Sequence, residues 1–464
     1  MALSKKKFIT IVIATLLLIF LTRGLIITHN IELHCDEKVF FTAAQSLKGY
    51  ISGSSPVYEE VKEYPEGAIV YYLPFHILTA VINRVFNVNI DPQITGRIAA
   101  IVYFSAGAVL GFIILRRFLA KKPACFIVYG LVMVFSLLHI EQSRYGTGDP
   151  VTCFVLMSII LLTATALSAK RRNMFYLFSA VFLSGSLCAV KYPLLFFVII
   201  PLYGLIVLLT SKSGKAKFGY ALAFIVILYA GFACFSPKAA FDPSYIVKVC
   251  DRELDAYVGG SILSQIKIIL PRLWSNFMCT VSYALLYADF PFALIFFVLE
   301  VVKCRKGLAA STKNNLDVLF YTLLPLLIVV FLAYNMFVSL LFMRSLYPLF
   351  FLTELYAATY IGNLFYTSKF KRVITIALTV LMVLRGAYLV VYMVTDNAQE
   401  RIEKLTQEAV NGSWNKTTFL SGPALLPHDS FNLENGKQIG IADDRFSSRE
   451  AMELKPGEMF ITGA

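Results

Sequence analysis

Two adjacent carboxylates, Asp36 and Glu37, head a helical run that follows the first long apolar segment and continues to Tyr50. A carboxylate near its reference pKa is ionised at neutral pH, so Asp36 could take a proton from an attacking hydroxyl. It is equally a hard oxygen ligand suited to magnesium or manganese. A purely structural role stands against this chemistry. Asp36 makes a good N-cap, and Glu37 sits well in a first helical turn. Behind them Val39, Phe40, Ala43, Ala44 and Leu47 fall at helical spacing, which predicts one apolar face. The rest of the chain weighs between the two readings.

Of 464 residues, 58% are hydrophobic, 14% aromatic and only 15% charged, a balance that predicts an all-α, polytopic membrane protein. The net charge of +13 does not indicate nucleic acid, because the basic residues lie in short clusters between apolar runs. The eight cysteines form no CxxC and no Cys/His ligand spacing, which argues against a zinc or disulfide framework. Lys5, Lys6 and Lys7 precede an apolar run that lacks a small-residue cleavage site. That run is expected to be a retained span.

Apolar segments at 8–28, 97–116, 124–140, 150–168, 174–190, 193–210, 218–236, 276–301, 316–338, 345–366 and 373–394 predict about eleven transmembrane helices. With the N-terminus inside, crossing at each segment places the later basic clusters in the cytoplasm: Arg116 to Lys122, Lys170 to Arg172, Lys212 to Lys217, Lys303 to Lys306 and Lys369 to Arg372. The result is a transmembrane unit over 1–395, outer loops over 29–96 and 237–275, and a short extracytoplasmic tail over 396–464. Residues 67–86 must then stay on the outer side, as a juxtamembrane helix carrying Tyr71, Tyr72, Pro74, His76, Asn83 and Arg84. A second interfacial helix is expected at 261–275, with Pro271 and Trp274.

Sorted by side, the outer surface collects Asp36, Glu37, Tyr64, Glu66, His139, Glu141, Arg144, Asp149, Lys191, Tyr192 and Arg344. Arg144, Lys191 and Arg344 run against the orientation bias of the other loops, and an anionic ligand gives them a reason to be there. Tyr64, Glu66, His139, Glu141 and Tyr192 are candidates to line its site. Each also has a plain alternative. Asp149-Pro150 reads as a helix start, Lys191 could snorkel, and Arg144 could pair with Glu141 one turn away. Their appearance together on one side favours function.

The ordered set of motifs resembles the integral-membrane GT-C glycosyltransferases, in the protein O-mannosyltransferase and aminoarabinose-transferase branch. The resemblance runs through His34-Cys35-Asp36-Glu37 with Ala44, Leu47 and Gly49, then Tyr64-Pro65-Glu66-Gly67 with Pro74, and Gly96-Arg97. It continues in Ser143-Arg144-Tyr145-Gly146-Thr147-Gly148-Asp149, Ala189-Val190-Lys191-Tyr192 and Arg344-Ser345-Leu346-Tyr347-Pro348. It implies a GT-C fold and a polyprenyl-phosphate-linked sugar donor used on the outer face of a bacterial plasma membrane. Asp36 would be the catalytic acidic residue, with Glu37 beside it and Asp149 as the second acidic group. A divalent metal would lie between Asp36 and Asp149, if one is used. Lys191 would contact the donor phosphate, with Arg344 and Arg144. The chain departs from relatives that carry a lysine before a proline pair, having Glu63-Tyr64-Pro65 instead, and its tail is small.

The acceptor implied is extracytoplasmic: a glycolipid, a cell-wall glycan or a protein. Two alternatives are a transporter or flippase for lipid-linked sugars and a non-catalytic membrane scaffold. A transporter would bury charge near mid-membrane beside broken helices. The topology underlies all of these readings and is directly testable. Single cysteines at positions 60, 145 and 440 should label from outside the cell, whereas those at 120, 171 and 214 should stay protected, and labelling of 120 would mean that 67–86 spans the membrane. The reverse pattern would place the outer cluster in the cytoplasm.

Overall fold

A computed structural model describes residues 3–29, 66–169, 173–210, 213–242, 244–247, 293–308, 314–337 and 347–395, and four short strands between 419 and 462. Helix α1 (Lys5–His29) is followed by α2 (Glu66–Phe86), α3 (Pro92–Ile114, extended by a π turn to Leu119), α4 (Pro123–Phe135) and α5 (Leu137–Ser143). Then come α6 (Gly148–Ser168), α7 (Asn173–Val190), a 3-10 turn over Tyr192–Val198, α8 (Ile199–Leu209), α9 (Gly214–Phe235) and α10 (Pro237–Phe241). The last group is α11 (Ala293–Leu308), α12 (Asn315–Val318), α13 (Leu324–Phe337), α14 (Tyr347–Leu364) and α15 (Lys369–Thr395). The expected helical membrane protein is what the chain forms.

Among the described residues nine helices are long and apolar enough to cross a membrane, and ten if the bent pair Pro123–Phe135 and Leu137–Ser143 counts as one span. All of the nine except Glu66–Phe86 coincide with expected spans. Helix α14 is buried along nearly its whole length and forms the centre of the bundle. The expected span at 276–301 is described only from Ala293, where α11 packs on α14 through Phe297 against Tyr356, centroids 5.3 Å apart. The tail is not helical where it is described. Strands β1 (Phe419–Ser421), β2 (Phe431–Asn432), β3 (Gln438–Ala442) and β4 (Met459–Thr462) form a sheet in the order β1-β4-β3-β2. Pairing is parallel for β1/β4 and β3/β4 and antiparallel for β2/β3.

Helices α2 and α3 form an antiparallel pair whose link is written in the sequence. Asn87 ends α2 with φ of 50°, a left-handed conformation that asparagine tolerates better than most residues. The Asn83 side chain accepts from Ile90 N at 3.0 Å, and Asp91 caps α3 by accepting from Gln93 N at 2.8 Å, with Pro92 in the first turn. Register follows from Tyr103 Oη donating to Tyr71 O and from Thr95 Oγ donating to Thr79 Oγ. The first turn of α2 packs on Gly148 and Ala189 through Ala68 and Gly67, and Gly96 near the start of α3 lies against Gly146. By length and hydropathy Glu66–Phe86 is itself able to cross a membrane.

The basic clusters share the opposite end. Arg116 lies 4.3 Å over Phe8, Arg117 donates to Thr165, Lys122 lies 5.0 Å from the Tyr366 ring, and Arg372 donates to Phe365 O. Helices approach closely where glycine allows it. A Cβ at Gly231 of α9 would stand 2.1 Å from Phe182 O of α7, whereas one at Gly219 of the same helix would meet nothing within 4 Å. Gly231→Ala should therefore lower the thermal midpoint in detergent clearly. Gly219→Ala should leave it unchanged or raise it, since alanine is favoured over glycine by about 1 kcal/mol inside a helix. Equal effects would mean that α7 and α9 are not in this contact.

Candidate active site at one end of the bundle

Away from the basic clusters, one end of the bundle gathers the beginnings of α2, α3, α6 and α14 and the last turns of α1, α5, α7 and α9. Asp149 sits in the first turn of α6 and is 1% exposed. Its Oδ1 accepts from Lys191 Nζ, and Thr147 Oγ donates to its Oδ2 at 3.4 Å. It is thus not the helix cap that Asp149-Pro150 suggested. The cap position belongs to Thr147, and the carboxylate is spent on a lysine 42 residues away. Lys191 follows the end of α7, and its side chain remains 29% exposed. A buried carboxylate therefore holds a cation that solvent can still reach.

The segment before Asp149 is pinned on several sides. Tyr72 Oη donates to Thr147 O at 2.6 Å. Gly146 lies against Gly96, where an added Cβ would come within 3.1 Å of backbone carbon. Arg144 lies 4.3 Å and Arg97 5.7 Å from the Tyr145 ring centroid, both arginines being buried. Sequence reasoning found Arg144 but gave Arg97 and Tyr145 no role. Two guanidinium groups thus approach one phenol ring.

Glu66 is half-buried at the start of α2. Ser236 Oγ donates to its Oε2 at 2.9 Å and Lys238 N at 3.1 Å. It therefore ties α2 to the break between α9 and α10. Tyr192 is partly buried and packs with Ala239 and Tyr245. Glu141 is half-buried on α5. Asp36, Glu37, Tyr64 and Arg344 lie outside the described residues, as does the expected interfacial helix at 261–275.

His139 is wholly buried rather than lining an open surface. Its Nε2 meets Glu354 Oε2 at 2.5 Å, and its Nδ1 meets Tyr347 Oη at 3.1 Å. Both ring nitrogens are therefore engaged inside the bundle. Glu354 lies about two turns into α14 and was not singled out from the sequence. Its signal was there, because a carboxylate within an apolar run of membrane length is a functional candidate on cost alone.

A metal finds poor support in the described part of the site. Among the described residues no three His, Cys, Asp or Glu side chains come together as a metal-binding group. Asp149 holds the Lys191 ammonium at Oδ1, and the other expected ligand, Asp36, lies outside the described residues.

No family model matches the sequence, and no curated protein matches it. Among solved structures the chain is similar to ArnT from Cupriavidus metallidurans bound to undecaprenyl phosphate. The TM-score is 0.49 and the identity 11%, over 89% of this chain and 82% of that one. The apo state of the same protein gives a TM-score of 0.47 at 11% identity, over 90% of this chain and 82% of that one.

The His139–Glu354 contact yields a stability prediction. Glu354→Gln keeps an acceptor for a neutral imidazole and should cost little. Glu354→Ala leaves a buried ring N–H unpaired and opens a cavity, and should cost about 2–5 kcal/mol. Thermal unfolding of the purified protein measures both, and equal losses would show that the carboxylate does not brace His139.

Proposed function

We propose that this protein is an integral-membrane glycosyltransferase that moves a sugar from a polyprenyl-phosphate carrier to an acceptor outside the cytoplasm. The observation that carries the reading is the Asp149–Lys191 pair, a buried carboxylate aiming a reachable lysine at the end of the bundle away from the basic clusters. Structural anchoring does not need that arrangement. A snorkelling lysine needs no buried carboxylate behind it, and a helix cap needs no lysine.

In the reaction the acceptor oxygen forms a bond to the anomeric carbon while the bond from that carbon to the phosphate oxygen breaks. The phosphate leaves with the electron pair, and the acceptor proton passes to a base. Asp36 is the base in this reading, with Glu37 beside it. Lys191 meets the developing charge on the phosphate, joined by Arg344 and Arg144, because cations placed where charge develops lower the barrier. Asp149 then acts on Lys191, fixing the direction of the ammonium. Tyr64, Glu66 and Tyr192 border the site. The ordered motifs from His34 to Tyr192 support the donor class, and the sugar and acceptor are left unassigned. The bulk of the cationic loops at the other end supports a plasma-membrane protein with that end in the cytoplasm.

One observation favours transport of a lipid-linked sugar instead. The chain between α4 and α5 is broken, with a 52° bend, and Arg23, His139 and Glu354 are buried around it. Broken helices with buried charge are what transporters use. Here, however, the protein's own guanidinium occupies the freed carbonyls of Met133 and Val134, leaving them unavailable to a passing ion or substrate.

The test is transfer from a radiolabelled polyprenyl-phosphate sugar in reconstituted vesicles, followed by analysis of the labelled products. Asp36→Asn should abolish transfer while expression and thermal stability stay near wild type, since asparagine caps a helix about as well as aspartate. Asp149→Asn should slow transfer about ten- to hundredfold through the loss of a charged hydrogen bond. An active Asp36→Asn protein removes Asp36 as base, and carrier movement without transfer selects the transporter.

A further inference from the structure

The break at Ser136 contains neither proline nor glycine; Ser136 caps α5 by accepting from His139 N at 3.5 Å, which leaves the carbonyls at the end of α4 to be met from elsewhere in the fold. A helix that stops inside a bundle leaves backbone carbonyls without partners, and apolar surroundings supply none. Arg23 of α1 meets that need. Its Nη2 donates to Met133 O at 3.1 Å and its Nη1 to Val134 O, the carbonyls left by the end of α4. Its Nε donates to Ser143 Oγ at 3.1 Å, at the far end of α5. One planar guanidinium thus grips both sides of the bend, a span that a single ammonium does not cover. Arg23 is fully buried and lies 5.6 Å over Phe104, whose ring packs against His139 at 5.2 Å.

The consequence reaches the site. From Ser143 the chain runs through Gly146, wedged on Gly96, and Thr147, held by Tyr72, to Asp149 on Lys191. No slack intervenes between the bend and the ion pair. We propose that Arg23 is a positioning residue: by fixing the bend at Ser136 it sets where Asp149 holds Lys191. The proposal deepens the glycosyltransferase reading and rests on it for the role of Lys191.

The test reads the ion pair itself. The full-length protein in nanodiscs is reductively methylated with formaldehyde and borohydride, and modification of Lys191 is followed by mass spectrometry, with Lys215 at the opposite end as internal control. Asp149→Asn should raise Lys191 modification about tenfold, as expected for loss of a charged hydrogen bond. Arg23→Gln should raise it to a similar degree and Arg23→Lys by less, with Lys215 unchanged in each. If Arg23→Gln does not fold, Ser143→Ala removes one grip without burying an unpaired charge, and should raise Lys191 modification about threefold. Wild-type reactivity of Lys191 in folded Arg23→Gln, or in Ser143→Ala, overturns the proposal. Amine reactivity does not depend on sugar transfer. A rise at Lys191 in the variants, when the wild-type protein transfers no sugar, supports the brace and rejects the glycosyltransferase, while unchanged Lys191 in the variants beside wild-type sugar transfer does the opposite.

Discussion

A backbone polar group inside a membrane bundle must find its partner within the protein, and this requirement shapes the molecule most where helices depart from regularity. Pro74 lies inside α2, which stays helical through it. The departure that matters is the break at Ser136, and Arg23 crosses from α1 to fill it. An unsatisfied group in hydrocarbon costs several kcal/mol, so this long-range partner stabilises the bend. The bend lies near the end that holds Asp149 and Lys191. Irregular backbone and ionisable side chains thus occur together, and each depends on the other.

The two ends of the bundle are electrostatically different in kind. At one end the cations sit in loops and on the outermost turns, over aromatic rings such as Phe8 and Tyr366. At the other, Arg23, Arg97, Arg144 and Asp149 are buried and Lys191 is only partly reachable. Exposed cations near a bilayer orient the chain at little cost. Buried ones are expensive and need partners, so their concentration at one end makes that end the candidate site. The buried His139–Glu354 pair lies just inside it and ties α5 to α14, joining the first third of the sequence to its last third.

The sequence was legible where the signal was local. Apolar runs gave the helices. Asp149 and Lys191 were singled out as site candidates, but their pairing was not foreseen, because nothing in residue type says which of several acids a given lysine will meet. Reading Asp149-Pro150 as a cap failed for the same reason: local preference yielded to a distant charge. Arg23 and Glu354 were passed over although each is a charge within an apolar run. The bend at Ser136 left only a serine cap as its local trace, and its longer-range partner lies in the first helix. The strands of the tail were missed because short, polar segments carry little alternation to read.

The central claim is that a lipid phosphate is held at the Asp149–Lys191 end of the bundle. Photocrosslinking with a polyprenyl phosphate that carries a photoreactive group beside the phosphate tests it most directly, with crosslinked peptides mapped by mass spectrometry. The account predicts adducts in the peptides around Gly148, Lys191 and the start of α2, lost when unlabelled polyprenyl phosphate competes. Competable adducts confined to the peptides around Arg116, Lys122 and Lys369 would place the phosphate at the opposite end and contradict it.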